Sequence, residues 1–121
     1  MSYSYDGIHF ANDSNKAVTV QIVDDNFPAV IDNPFVKGVN IDPHNDPRQV
    51  DLVVQDIDQT LITGQFEIYV NGQDIGYVVR RGPDAWDLYT LPSNQIDLVT
   101  GDPDNVDIHW DGTKLTNLTV E

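Results

Sequence analysis

The chain has 121 residues and no cysteine, so it is the size of one domain and contains neither a disulfide nor a thiolate metal site. Twenty acidic residues against six basic ones give a formal net charge of −14, and 40% of the residues are hydrophobic. Such an acidic surface repels nucleic acid and anionic membranes, because phosphate binding needs clustered lysine and arginine. We therefore expect one globular domain over residues 1–121 that binds neither nucleic acid nor membrane.

The first ten residues, MSYSYDGIHF, lack the basic and apolar regions of a secretory signal peptide. No run approaches the roughly 18 apolar residues of a membrane-spanning helix. We therefore expect neither a signal peptide nor a transmembrane segment. Cytosolic synthesis is the default expectation, and the sequence leaves the final location of the protein open.

The acidic residues are almost all aspartate, with 18 Asp and only 2 Glu. Glutamate suits helix surfaces, whereas aspartate suits turns because its short side chain accepts hydrogen bonds from nearby backbone amides. No window shows a sustained 3.6-residue apolar rhythm, whereas period-2 alternation recurs between turn residues. The sequence therefore predicts an all-β fold, a single antiparallel β-sandwich or jelly-roll-like domain of about 8–10 short strands.

Alternating segments follow one another along the whole chain. Strands are expected near residues 5–11, 17–23, 35–41, 49–55, 86–91, 95–100 and 117–120, with hairpins over 65–79 and 106–115. The side chains expected to face the core from the second and fourth of these segments are Val18, Val20, Ile22, Val50, Leu52 and Val54. Four of the seven prolines lie within residues 24–48, which predicts a long crossover from one sheet to the other.

Two glycine-containing turns predict the hairpins. Asn71-Gly72 suits a two-residue type I′ turn, because both central positions of that turn need a positive φ. This turn pairs Ile68 with Ile75, Phe66 with Tyr77 and Gly64 with Val79 toward the core, and turns Val78 outward. Asp111-Gly112 predicts a second two-residue turn that pairs Ile108 with Leu115 and turns Asp107, His109, Lys114 and Thr116 outward.

An internal echo offers the clearest candidate for a metal site. Residues 49–59, QVDLVVQDIDQ, resemble residues 95–105, QIDLVTGDPDN, and each copy leads from a strand into an Asp-x-Asp turn. Calcium takes six to eight oxygen ligands, which such loops can supply, so the candidate ligands are Asp56, Asp58, Asp102, Asp104 and Asp107. The alternative is that these aspartates only form turns. The second loop lacks the glycine and the closing glutamate of an EF-hand. Another possible cation loop, the Asp-Pro sequence at 42–47, has the same two interpretations.

No catalytic arrangement is evident in the sequence. The four serines, Ser2, Ser4, Ser14 and Ser93, lie in expected tail or turn positions rather than in a nucleophile elbow. The three histidines, His9, His44 and His109, have no metal-chelating spacing. Aspartate pairs suited to glycoside hydrolysis are numerous by composition alone, but only one internal glutamate is present. We therefore expect that the protein is not an enzyme.

The segment RRGPDAWDLYTLP, residues 80–92, is the best candidate for a recognition surface. Aromatic rings stack on sugars and form protein–protein hot spots, while aspartate and arginine bond ligand hydroxyls. The candidate ligand-binding residues are Arg80, Asp84, Trp86, Asp87 and Tyr89. In the alternative interpretation, Trp86 and Leu88 close one end of the core.

Three functions fit these features. The first is a non-catalytic binding module, lectin-like or otherwise specialised for surface recognition, that binds a carbohydrate or a protein surface with calcium as an optional cofactor. The second is a structural protein of a virion or filament that assembles as a homo-oligomer. The third is an acidic inhibitor that mimics nucleic acid or occupies a basic enzyme site. We place recognition first, assembly second and inhibition third.

Overall fold

The computed structural model describes residues 3–24, 38–44, 46–56, 64–81, 85–101 and 105–120. The predicted all-β fold is confirmed, because these residues form ten strands. The strands are β1 (Tyr3–Asn12), β2 (Val18–Asp24), β3 (Val39–Ile41), β4 (Arg48–Asp56), β5 (Gly64–Val70), β6 (Gln73–Arg81), β7 (Ala85–Thr90), β8 (Asn94–Thr100), β9 (Asn105–Trp110) and β10 (Leu115–Val120). No helix among the described residues has the length and apolarity needed to cross a membrane.

The strands form two sheets that pack face to face as a sandwich. One sheet has four strands in the order β10-β9-β1-β4, and the other has six in the order β3-β2-β5-β6-β7-β8. Adjacent strands are antiparallel, apart from β1 and β9, which form the one parallel pair among the described strands. The architecture is therefore the predicted antiparallel sandwich with one parallel pairing inside the four-stranded sheet.

The core consists of the inward side chains of both sheets. On β2, Val18, Val20 and Ile22 are buried while Thr19 and Gln21 are exposed, as the alternation predicts. The fully buried hydrophobic side chains are Ile8, Phe10, Val20, Ile41, Phe66, Ile68, Val78, Trp86, Leu88, Val106 and Ile108. Burying apolar surface stabilises the fold by roughly 25 cal/mol per Å², so this layer is the main stabilising feature.

The predicted type I′ turn is present, but the register of its hairpin is wrong beyond the first two pairs. Asn71 and Gly72 both have positive φ, at 52° and 83°. A bulge at Ile75 then pairs Ile68 with Gly76 and Phe66 with Val78, instead of with Ile75 and Tyr77. Likewise Gly64 pairs with Arg80 instead of with Val79, and Val78 is fully buried instead of facing outward. The Gly76 amide donates to Asp74 Oδ1 at 3.2 Å, which satisfies the bulged backbone.

The second hairpin has a four-residue loop instead of the predicted two-residue turn. Trp110 pairs with Leu115, and Ile108 pairs with Leu118 instead of Leu115. The Asp111 carboxylate explains the longer loop, because its Oδ1 accepts hydrogen bonds from the amides of Thr113 at 2.8 Å and Lys114 at 3.0 Å. An aspartate that organises its own turn in this way competes with the tight two-residue geometry.

The proline-rich stretch 24–48 connects one sheet to the other, as predicted, and the change of sheet comes after the short strand β3. Strand β3 pairs with β2, so both ends of the connection between them belong to the six-stranded sheet. The chain passes to the four-stranded sheet only between Ile41 and Arg48. Residues 25–37 and 45 lie outside the described part of the chain.

An aspartate closes one corner of the sandwich, where the edge strands β8 and β10 meet. Asp97 Oδ1 accepts a hydrogen bond from the amide of Leu98 at 2.8 Å, and Oδ2 accepts one from the amide of Leu118 at 2.7 Å. Edge strands otherwise present unpaired amides to other chains. This carboxylate therefore joins the two sheets and occupies part of both edges.

Candidate functional site

The five residues predicted to bind a ligand do not form one surface. Trp86 and Arg80 face the core, with 0% and 1% of their surfaces exposed. They lie opposite each other on β7 and β6, and the Arg80 guanidinium carbon is 4.6 Å from the centroid of the Trp86 ring. The interpretation of Trp86 as a surface aromatic is therefore wrong, because strand alternation turns it inward. Asp84 lies outside the described residues.

The other two residues, Asp87 and Tyr89, lie on the outward side of β7. Tyr89 is half-buried and stacks on Tyr77 of β6, with ring centroids 4.8 Å apart and an angle of 13° between the ring planes. Tyr89 donates to Asp87 Oδ2 at 3.4 Å, and Tyr77 donates to Ser93 Oγ at 3.1 Å. Each ring therefore covers one side of its neighbour, and both phenol groups are held in place.

An exposed hydrophobic side chain lies on the same outward surface, on the edge strand. Leu98 lies directly opposite Asp87 in the register of β7 and β8, and 49% of its surface is exposed. Asp87 itself is only 2% exposed, although it points away from the core. We call Tyr77, Tyr89, Ser93 and Leu98 the tyrosine face. Tyr77, which the turn alone predicts to face the core, lies on the outward surface because the bulge at Ile75 reverses the side on which this part of β6 places its side chains.

The predicted calcium ligands are only partly described. Asp56 ends β4, whereas Asp58, Asp102 and Asp104 lie outside the described residues. The strands that lead into the two Asp-x-Asp loops, β4 and β8, lie at the edges of different sheets. Asp107 lies inside β9 and is buried. Within the described part of the chain, no three histidine or acidic side chains group as a metal site would require.

The structure brings together three side chains that the sequence analysis did not connect. His109 points outward from β9, as predicted, and its Nδ1 lies 2.9 Å from Asp13 Oδ2. The other ring nitrogen, Nε2, lies 2.8 Å from the Thr119 hydroxyl on β10. We call Asp13, His109 and Thr119 the polar array. No sequence signal connects residues 96 positions apart; the contact follows from the parallel pairing of β1 with β9.

The backbone around Asp13 is held by a second set of hydrogen bonds. The Asp13 amide donates to the Trp110 carbonyl at 2.9 Å. Asn12 is fully buried, and its side-chain nitrogen Nδ2 donates to the backbone carbonyls of Lys16 at 2.7 Å and Ile41 at 3.1 Å. Because buried polar groups that are satisfied in this way rigidify their surroundings, the loop places Asp13 beside His109 in a defined position.

In the neighbouring turn, the carboxyl group of Asp111 has a lowered pKa. Hydrogen bonds from the backbone amides of Thr113 and Lys114 lower the pKa of the Asp111 carboxyl below its ordinary value. The cause is that these donors stabilise the ionised carboxylate and not the neutral acid. The turn therefore depends on an ionised Asp111.

Comparison with known proteins gives no relative. The sequence matches no protein-family model and no curated protein, and the fold matches no solved structure.

Proposed function

We propose that the protein is a binding module that recognises another protein through the tyrosine face. The observation that carries this proposal is the stacked pair of Tyr77 and Tyr89 beside the exposed Leu98 on one outward sheet surface. Tyrosine is enriched at the centres of protein interfaces, because it buries a large area while losing few rotamers.

The geometry of the tyrosines favours a protein over a sugar as the ligand. A sugar ring stacks on an aromatic ring whose flat side is open, whereas Tyr77 and Tyr89 each cover one side of the other. Trp86, the larger aromatic residue of the same segment, is in the core. The exposed Leu98 on the same sheet surface suits an apolar patch on a protein partner. The net charge of −14 favours a partner with a basic surface, since it accelerates encounter with opposite charge.

Photo-crosslinking in the source cells tests this proposal. A photoreactive phenylalanine derivative at position 98 should cross-link a discrete protein, and the band should weaken when Tyr89→Ala is added. The matched control is the same derivative at position 21, because Gln21 is exposed on β2 of the same sheet and lies opposite Tyr69 in register. Equal cross-linking at both positions, or none at position 98, would argue against the tyrosine face. Stabilisation by an oligosaccharide together with no cross-link would favour the lectin-like alternative.

Self-assembly is the second candidate function, because the edge strand β8 exposes two large apolar side chains. Ile96 is 36% exposed and lies two residues from Leu98 on this edge. Because Asp97 accepts the Leu98 amide on this edge, two copies would meet through the exposed side chains of Ile96 and Leu98 and not by backbone pairing of their β8 strands. Repulsion between two chains of net charge −14 opposes this contact, so assembly should increase with salt as the charges are screened. Sedimentation equilibrium at low and high salt measures it, and a monomer in both conditions would exclude this interface.

Calcium remains a proposal that rests on the Asp-x-Asp sequences. A ligand that binds only the folded state raises its stability, by about 2.7 kcal/mol at one hundred times its dissociation constant. Millimolar calcium should therefore raise the melting temperature of the wild type and leave an Asp102→Asn, Asp104→Asn variant unchanged. A melting curve that calcium does not shift would remove this cofactor.

The acidic-inhibitor alternative receives the least support. A nucleic-acid mimic needs rows of exposed carboxylates on one surface. Among the side chains that the structure describes, the exposed aspartates lie in turns, at Asp13, Asp42, Asp46 and Asp111. Of the described aspartates that point outward from strands inside the sheets, Asp87 and Asp107 are buried and Asp74 is half-buried.

A further inference from the structure

The polar array has the connectivity of a nucleophile, a general base and an orienting carboxylate. His109 lies on β9, which has β1 on one side and β10 on the other, so its backbone is paired along both edges. Thr119 lies on β10, one residue after Leu118, which pairs with Ile108. The two contacts of the imidazole, at 2.9 Å and 2.8 Å, are therefore made by groups on fixed backbone.

The chemistry of the three groups sets the direction of the hydrogen bonds. A carboxylate oxygen accepts hydrogen bonds, so the contact with Asp13 favours the imidazole tautomer that carries its proton on Nδ1. In that tautomer the lone pair of Nε2 faces Thr119 and can accept the hydrogen bond of its hydroxyl. A hydroxyl that donates to a base, itself oriented by a third group, is the general signature of an activated nucleophile.

The array is open to solvent at its reactive end. Thr119 is exposed, His109 is 21% exposed, and the Asp13 side chain is 54% exposed. A small acyl donor can therefore reach the hydroxyl without displacing any part of the core. The expectation of a non-enzyme rested on the absence of cysteine, the positions of the serines, the histidine spacing and the carboxylate pairs, and it did not consider threonine.

We propose that Thr119 is a nucleophile for acyl transfer from activated esters, with His109 as general base and Asp13 as a positioning residue. Thr119 Oγ forms a bond to the carbonyl carbon of the ester while its proton passes to His109 Nε2. The bond from that carbon to the leaving oxygen breaks, and the leaving group departs with the electron pair and takes up the proton. Attack by water on the acyl-threonine, again with proton transfer to His109, releases the acid and restores the hydroxyl. This inference does not depend on the proposed binding function.

The experiment uses p-nitrophenyl acetate with the full chain, followed by peptide mapping by mass spectrometry. When the reaction is stopped with acid during turnover, before water has released the acyl group, wild type should carry one acetyl group on Thr119, and Thr119→Val should carry none there. His109→Gln should acetylate Thr119 about 100-fold more slowly, within the range that general-base catalysis contributes. His44→Gln is the matched control, because His44 is an exposed histidine that contacts Asn15 and not the polar array. Thr119→Ser keeps the hydroxyl and should retain acetylation, which guards against a Thr119→Val variant that fails to fold.

The role of Asp13 has a separate readout. In wild type, the ¹⁵N chemical shifts of the His109 ring should identify Nδ1 as the protonated nitrogen. In Asp13→Asn, part of the population should move to the Nε2-protonated form, and acetylation of Thr119 should slow by about tenfold or more. Acetylation confined to other residues, or an equal rate at Thr119 in folded wild type and His109→Gln, would overturn the proposal.

Discussion

Substituting Gly76 with alanine tests whether β6 and β7 can approach this closely only because residue 76 has no Cβ atom. A Cβ atom added at Gly76 would lie 2.3 Å from the carbonyl oxygen of Tyr89 and 3.0 Å from Cδ1 of Leu115. Real Cβ contacts essentially never fall below 3.0 Å, so β6 and β7 would have to separate by at least the difference, 0.7 Å. The obstacle is backbone and not the end of a flexible side chain, so it cannot rotate away.

The expected cost of Gly76→Ala follows from two contributions. Forcing extra atoms into a packed site costs about 1–3 kcal/mol. The φ of 156° at Gly76 is also one that L-residues rarely adopt, which adds about 1 kcal/mol. We therefore expect a loss of about 3 kcal/mol in the free energy of unfolding, or roughly 10–15 °C in melting temperature for a domain of this size.

Urea unfolding monitored by tryptophan fluorescence measures this loss, because Trp86 is fully buried in the folded state. Gly72→Ala is the matched control. Its φ of 83° is also unfavourable for alanine, but a Cβ there meets nothing within 4 Å, so it should cost only about 1 kcal/mol. If the two variants lose the same stability within error, the close contact with Tyr89 does not determine the role of Gly76.

Three further predictions concern single side chains. Asp97→Ala removes the acceptor of two backbone amides and should lower the free energy of unfolding in urea by about 1–2 kcal/mol. Asp97→Asn should be closer to wild type in stability. If Asp97→Ala is as stable as wild type, this corner of the sandwich closes without the carboxylate. Asp111→Ala should be less stable than wild type at neutral pH, and the difference should shrink as the pH falls through the lowered pKa of Asp111, since the protonated acid no longer favours its turn. A difference in stability that stays constant down to strongly acidic pH would contradict this. Trp86→Ala should lower the free energy of unfolding by about 3–5 kcal/mol, and Tyr89→Ala should lower it clearly less because Tyr89 is half-buried. A larger loss for Tyr89→Ala than for Trp86→Ala would contradict the assignment of Trp86 to the core.

Local signals in the sequence predicted the strands well and their partners less well. The alternation on β2 and the Asn71-Gly72 turn depend on neighbouring residues, and both are present in the structure. The registers of the two hairpins depend on a bulge and on a carboxylate that accepts two amides, and neither feature changes the apolar pattern. A register predicted from the turn alone therefore fails within a few residues of the turn.

The candidate sites were harder to predict because each depends on which side of a strand a residue occupies. Segment 80–92 contains the residues expected of a binding surface, but alternation sends Trp86 to the core and Tyr89 to the surface. The polar array requires Asp13 to meet His109, which needs the parallel pairing of two strands far apart in sequence. No periodicity or spacing in a single sequence encodes such a pairing.

That parallel pairing also constrains the order in which the chain can fold. Gly7 on β1 pairs with Asn105 on β9, 98 residues later, while β5, β6 and β7 each pair with the next strand along the chain. During synthesis, the consecutive hairpins can form as they leave the ribosome, since contacts near in sequence close fastest. One edge of β1 has no partner until β9 has been synthesised. A chain that stalls before residue 105 would therefore expose the unpaired backbone amides and carbonyls of that edge to other chains.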